Sequence, residues 1–290
     1  MPSAMPSRFP LTRRQAIAAL AGSAAGTLTV RQAFAQASAE TIATILPSNV
    51  CILTPQAVEG PYYFDAALER VDITEGGPGI PTKLMLQVIE AADCAPIAGA
   101  RVDVWHCDAS GLYSGYAGQG DDRQVSTEGE KFLRGTQMTD TSGIAIFDTL
   151  YPGWYRGRTT HIHFKAFLDE KTVMMGQIYF PDALSEYIYL NIAPYNARAS
   201  ARDTINAGDN VLKASGGGHG SFCSVKEDSD RYVASLVIGV DRTAEIAGGG
   251  QGGPGGGGPP PSGSPPPGGG AQPASGADRG ALVPGAETAD

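Results

Sequence analysis

The sequence predicts an all-β fold, a β-sandwich of mostly antiparallel strands. Two observations carry that expectation. Short segments rich in β-branched and aromatic residues alternate in polarity with the two-residue period of a strand. Gly, Pro and Asp separate those segments throughout, the punctuation of a sandwich or barrel rather than of a helical bundle. No internal repeat or heptad pattern competes with this reading.

Taken in order, residues 1–35 read as a targeting segment. Thr12-Arg13-Arg14-Gln15 precedes a mildly apolar run from Ala16 to Val30, and Ala33-Phe34-Ala35 fits a small-x-small cleavage pattern. The run is too short and too weakly apolar for a membrane span. Its twin arginine matches a bacterial Tat-type signal, and the weak apolarity favours that over an ordinary Sec leader. Export to the periplasm or beyond is therefore expected. Residues 36–247 form the folded domain, long enough to bury a sizeable interior. A short helix is expected at Glu40–Leu46. Strands follow at Leu84–Ile89, Ala100–His106, Gly143–Phe147, His161–Phe167, Met174–Phe180 and Tyr232–Val240. In the second of these, strict alternation puts Val102 and Val104 on one face and Arg101, Asp103 and Trp105 on the other. From Gly248 to Asp290 the chain is mostly Gly, Pro and small polar residues. Such a segment buries too little apolar surface to offset its ordering entropy, so a disordered tail is expected.

A formal net charge of -9 argues against nucleic acid or an anionic membrane surface as the main partner. The four cysteines, Cys51, Cys94, Cys107 and Cys223, form no C-x-x-C pair, which disfavours structural zinc. Export would permit disulfides. Cys94 and Cys107 bracket one strand, whose extended length separates its ends by about 40 Å, so that pairing is disfavoured. The other pairings, and free buried thiols, stay open.

Two of only four histidines stand as His161-Ile162-His163 on a strand. Side chains at i and i+2 leave the same face, roughly 6.6 Å apart at the backbone, so both imidazoles can turn to one metal ion. Spacing alone allows equally that both are polar residues on the wet face of a sheet. The flanking residues decide. Val104-Trp105-His106-Cys107-Asp108-Ala109-Ser110-Gly111-Leu112-Tyr113-Ser114 resembles the first iron-tyrosine motif of the intradiol ring-cleavage dioxygenases. Tyr151-Pro152-Gly153-Trp154-Tyr155, then Arg158-Thr159-Thr160-His161-Ile162-His163, resembles their second tyrosine and the R-x-x-H-I-H that follows it. Thr54-Pro55-Gln56-Ala57-Val58-Glu59-Gly60-Pro61-Tyr62-Tyr63 and Gly176-Gln177-Ile178-Tyr179-Phe180 are similar to flanking pieces, in the same order.

The resemblance implies a non-haem iron(III) held by Tyr113, Tyr155, His161 and His163. A hard trivalent cation prefers anionic oxygen, and phenol loses its proton beside one. It implies a catechol-type substrate and O2, with cleavage between the two hydroxylated carbons to cis,cis-muconate-type products. Tyr155 would accept a substrate proton, Arg158 would stabilise carbanion character at the attacking ring carbon, and Gln177 would support it. Tyr62 would line the mouth of the pocket. His106 is read as a structural histidine and His219, in a Gly-rich loop, as exposed.

The chain departs from the catechol dioxygenases in two places. Their long helical N-terminal region, which carries the dimer contact, has no counterpart, so the resemblance allows a homo-oligomer without implying its form. The interval from Tyr155 to Arg158 is very short, which predicts a more open site. Two rivals compete. Ala98–Val104, Thr139–Phe147 and Leu150–Tyr155 also fit a transthyretin-like or carboxypeptidase-regulatory sandwich, a binding module without chemistry, but that module lacks His-x-His with two upstream tyrosines. A cupin would need a further His and Glu. Motifs for phosphoryl transfer, hydride transfer and serine hydrolysis are absent.

Overall fold

The computed structural model describes residues 51–168 and 173–242. The leader at 1–35, the helix expected at 40–46 and the tail from 248 lie outside them. Eight strands are described: β1 (Pro81–Glu90), β2 (Arg101–Trp105), β3 (Arg134–Met138), β4 (Ile144–Leu150), β5 (His161–Phe167), β6 (Val173–Tyr179), β7 (Ser224–Glu227) and β8 (Tyr232–Val240). They form two four-stranded sheets, ordered β4-β1-β8-β7 and β3-β2-β5-β6. Every pairing is antiparallel except β1 with β8. The sandwich read from the sequence is the observed fold.

Alternation builds the core. Leu84, Leu86 and Val88 of β1, Val102 and Val104 of β2, Ala145 and Phe147 of β4, Ile162, Phe164 and Ala166 of β5, and Ala234, Leu236 and Ile238 of β8 share one buried apolar cluster. Each such side chain removed from water stabilises the fold by about 1.5–3 kcal/mol for the larger aliphatics and Phe. Gly176 on β6 is the register partner of Phe164, and a side chain there would collide with the Phe164 ring. The glycine thus lets the aromatic ring lie across β6.

Further elements lie outside the sequence expectation. β3 and β7 are short and mostly polar, with burial on β3 confined to Arg134 and Gly135. Helix α1 (Asp182–Asn191) follows Pro181 with no side-chain cap, and its buried residues are Ser185, Ile188 and Tyr189. It is held partly by hydroxyls: Tyr151 Oη and Ser185 Oγ are 2.8 Å apart, and Tyr189 Oη and Thr160 Oγ1 2.7 Å. A face of that composition gives a weak 3.6-residue apolar signal. Helix α2 (Asn210–Ala214) is capped by Asp209, whose side chain accepts from Leu212 N.

The outer face of the β3-β2-β5-β6 sheet is covered as well. Residues 54–65 cross it like a strap. Ala57 N donates to Met175 O at 3.1 Å and Gln177 Nε2 to Val58 O at 3.2 Å. Lys165 pairs with Glu59 at 2.7 Å, Tyr63 Oη donates to Asp103 Oδ2 at 2.9 Å, and Arg101 pairs with Asp65 at 2.7 Å. The start of the strap is tied by Thr54 N to Gly239 O and by a Cys51–Cys94 disulfide with a Cα–Cα distance of 5.3 Å. Cys107 and Cys223 are free and buried.

Candidate metal centre

On β5 the inward positions are Ile162, Phe164 and Ala166, so His161 and His163 point to the strapped face. Both are about 2% exposed. Their Nε2 atoms stand 3.1 Å apart. Tyr155 Oη is 3.1 Å and Tyr113 Oη 3.4 Å from His161 Nε2, and the two phenol oxygens are 3.4 Å from each other. His161 Nε2 therefore lies within 3.4 Å of all three other donor atoms.

Four residues far apart in the chain converge for local reasons. β5 carries the histidines. Tyr155 precedes it across a tight turn, in which Arg158 N donates to Tyr155 O at 3.2 Å and Gly157 takes a φ of +78°. Tyr113 sits in the loop after β2. There Asp108 Oδ1 accepts from Ser110 N and Leu112 N, Gly111 takes a φ of +83°, and Tyr113 N donates to Gln119 Oε1. A Cβ at Gly111 would strike the Trp154 carbonyl, so the two tyrosine-bearing segments touch where only glycine fits.

Burial sets the charge state of the donors. Burial pushes His161 and His163 well below the usual imidazole range, so both are neutral and carry lone pairs. His161 Nδ1 donates to Thr159 O at 2.6 Å, which leaves its Nε2 as the acceptor turned to the cluster. Burial pushes the Tyr113 and Tyr155 phenols up, and for Tyr155 the nearby Arg158 acts the other way. A multiply charged ion at the same point would reverse both phenol shifts. An ion about 2.1 Å from each ligand holds neighbouring donors about 3.0 Å apart at a right angle and about 3.4 Å apart at the tetrahedral angle. The observed spacings match. Among the described residues no group of three or more His, Cys, Asp and Glu could hold a metal, so the donor set is imidazole and phenol. That set fits a hard trivalent ion better than zinc.

Around the four donors lies a polar frame. Arg158 Nε pairs with Asp209 Oδ2 at 2.8 Å, its Nη1 reaches Tyr155 Oη at 3.5 Å, and its Nη2 donates to Gln177 Oε1. Tyr179 Oη also donates to Gln177 Oε1, at 3.0 Å. Burial alone would lower the Arg158 pKa, but Tyr155 and Asp209 outweigh it and raise it, so the guanidinium keeps its charge. Asp209 is fully buried and also accepts from Thr159 N at 2.8 Å. Tyr62 is half-buried and stacks on Tyr113 with centroids 4.5 Å apart. Gly60 takes a φ of +77° against the His163 ring, which explains the Glu-Gly-Pro-Tyr run physically. Of the four donors only Tyr155 is partly exposed.

Every residue assigned to the site from the sequence is thus in one cluster: Tyr62, Tyr113, Tyr155, Arg158, His161, His163 and Gln177. His106 is elsewhere. It is buried, donates from Nδ1 to Cys107 O at 2.8 Å and accepts at Nε2 from Thr149 at 2.7 Å. His219 is exposed. Three residues of the site are given no role by the sequence. Asp209 is visible there only as a helix-start residue. Arg134, on β3, donates to Tyr62 O and to Ser114 Oγ and O, and so joins the strap to the first tyrosine loop. Trp105 stacks on His163; in the sequence it falls within the first tyrosine motif and on a face with Arg101 and Asp103, with no role of its own.

Known proteins give the same picture. A dioxygenase family model matches residues 58–211. A catechol 1,2-dioxygenase from Candida albicans is 28% identical over 152 residues, covering 43% of this chain and 46% of the relative. A chlorocatechol 1,2-dioxygenase from Cupriavidus pinatubonensis is 30% identical over 146 residues, covering 43% and 53%. The chain thus spans about half the length of these curated relatives. Among solved structures, an intradiol ring-cleavage dioxygenase from Tetranychus urticae aligns with a TM-score of 0.61 and 32% identity, over 68% of this chain and 98% of that one. A family match across just over half the residues, on the same sandwich, settles the assignment: the chain belongs to the intradiol ring-cleavage dioxygenase family.

Proposed function

We propose that this protein is a non-haem iron(III) dioxygenase that opens catechol-type rings between their two hydroxylated carbons, using O2 and giving cis,cis-muconate-type products. The single observation that carries the reading is the convergence of three donors on His161 Nε2 within 3.4 Å. Tyr113, Tyr155, His161 and His163 would hold the ion. When bound, ferric iron supplies a Lewis-acid centre that takes both catechol oxygens and makes the ring electron-rich toward O2.

The chain's own residues divide the remaining work. His161 and His163 are neutral and offer lone pairs without first losing a proton. Tyr113 is fully buried under Tyr62, whereas Tyr155 is the one donor residue that keeps some exposed surface. With an ion bound and its own phenol proton lost, Tyr155 Oη would be the atom placed to take a proton from an entering catechol hydroxyl. Arg158, charged and held by Asp209 and Gln177 beside Tyr155 Oη, would stabilise negative charge that develops on a ring bound there. The strap and the Tyr62 ring exclude water from the Tyr113 side.

Family membership displaces the binding-module reading, which had no use for these donors. The Cys51–Cys94 disulfide supports the proposal that the protein works in an oxidising, exported setting. The test is to load the purified protein with ferric iron and offer a panel of catechols. We expect about one iron per chain, a visible tyrosinate-to-iron band, and muconate-type products. Semialdehyde products, or a colourless and inert loaded protein, would overturn the reading.

A further inference from the structure

We propose that Trp105 is the positioning residue for His163: a stacked indole plane, in place of a hydrogen bond, sets the imidazole toward the shared donor point. This rests on the metal reading above and adds to it.

The two histidines are held by different physics. His161 is tied by its Nδ1 to a backbone carbonyl at 2.6 Å. His163 Nδ1 is buried and finds no hydrogen-bond partner among the described residues. A metal-binding histidine ordinarily fixes its ring through that second nitrogen. His163 has a plate instead. Trp105 is its register partner on β2, and the two rings lie 4.9 Å apart and 11° from parallel. On another side Gly60 approaches closely, since a Cβ there would stand 3.3 Å from His163 Cε1.

Trp105 itself shows that the contact is about shape. A buried indole usually places its N–H on an acceptor. Trp105 Nε1 has none among the described residues, although the side chain is 2% exposed. Its surroundings use its flat area and not its polar handle. The plate is backed in turn by Tyr63, 4.8 Å away, whose hydroxyl is tied to Asp103 and whose ring lies under the Lys165 ammonium at 4.2 Å. Lys165 pairs with Glu59, next to Gly60. The strap therefore grips His163 from the Gly60 side and through Tyr63 and Trp105 as well.

The experiment compares Trp105→Phe, which keeps an aromatic plane, with Trp105→Leu, which keeps apolar bulk and loses it. Ferric citrate is the metal source, nitrilotriacetate competes for it, and unfolding of the iron-free variants measures packing. We expect Trp105→Leu to weaken iron retention about 10- to 100-fold, and Trp105→Phe by no more than about threefold, on the scale of losses seen when a metal ligand's support is removed. The tyrosinate-to-iron band should shift only in the leucine variant. Equal retention by the leucine variant and the parent would overturn the proposal. So would equal loss in both variants that tracks the loss of iron-free stability. Failure of the parent protein itself to take up iron would overturn the metal reading, and this proposal with it.

Discussion

Where β5 carries its histidines, its two faces are both buried and chemically opposite. Ile162, Phe164 and Ala166 turn inward at 0% exposure, while His161 and His163 turn outward at about 2%. Neither the inward residues nor the two histidines are exposed, so burial does not distinguish core from site there. The difference is what each face does with its polarity. The inner face has no polar atoms to satisfy. The outer face holds imidazole, phenol, guanidinium and carboxylate groups, and satisfies nearly all of them with each other. Such a network costs free energy to leave incomplete, and its donors converge where a cation would complete it. A sheet can thus carry an apolar core on one side and a cluster of polar donors on the other, with the side-chain period of two keeping them apart.

The widest separation of the two faces should come from one substitution on each. His161→Ala removes the atom that all three other donors approach. Iron retention should fall by more than the roughly 100-fold typical of supporting residues, and turnover should vanish, with the iron-free protein still folded. Phe164→Ala should do the reverse: about 3–5 kcal/mol less stability in denaturant unfolding, with iron still bound by whatever fraction remains folded. Iron loss in the Phe164 variant at full folding would mean the faces are mechanically coupled.

The strap gives the next contrast. Cys51→Ser breaks the disulfide that closes a 43-residue interval, at an expected cost of about 2–4 kcal/mol. The loss should concentrate in faster proteolysis of residues near 51–65, leaving the inner core protected. Uniform loss of protection would place the strap in the same cooperative unit as the core.

How much of this is legible in the sequence follows from the same contrast. The inner face is readable because alternation is a one-dimensional signal: the pattern of residues 100–106 alone puts Val102 and Val104 on one face, and both lie in the core. Helix α1 gives no such signal because hydroxyls, not an apolar stripe, anchor it. At the site, His161 and His163 are visible as a pair, but Tyr113 and Tyr155 are 42 residues apart among eleven tyrosines and stand out only through a resemblance. Asp209 does not stand out at all. Its partner Arg158 lies 51 residues away, and no local pattern encodes an ion pair across that interval. The disulfide is likewise undetermined by spacing, and the structure selects Cys51 with Cys94.

Acid should separate the faces next. Burial lowers the His106 pKa to about 4, from an ordinary value near 6.5. A depressed folded pKa means the native state binds fewer protons than the unfolded chain below about pH 6.5. Its stabilising contribution is therefore present above about pH 6.5 and is lost as pH falls toward 4. A shift of that size corresponds to about 3 kcal/mol. His161 and His163 are depressed by burial in the same direction in the iron-free protein. Denaturant midpoints of the iron-free protein should fall steadily between about pH 6.5 and 4, and His106→Gln should flatten part of that slope. A parent protein with no slope would mean these histidines are already protonated when folded.

The smallest effect sharpens the comparison most, because it tests a charge that the core face could never hold. Asp209 is fully buried, and its two carboxylate oxygens have separate duties. Oδ1 caps α2 through Leu212 N, while Oδ2 holds Arg158 Nε and Thr159 N. Asp209→Asn can keep an acceptor for the cap while removing the negative charge beside the guanidinium. Left without it, Arg158 would rest on Gln177 and the Tyr155 hydroxyl alone. The expected result is a fall in kcat of about 10- to 100-fold with KM nearly unchanged, the pattern of an interaction made in the transition state. The iron band should stay in place, since no donor atom has moved. A raised KM at constant kcat would instead make Asp209 a support for substrate binding. Unchanged kinetics would show that Gln177 suffices to aim Arg158, and that the buried carboxylate serves α2 alone.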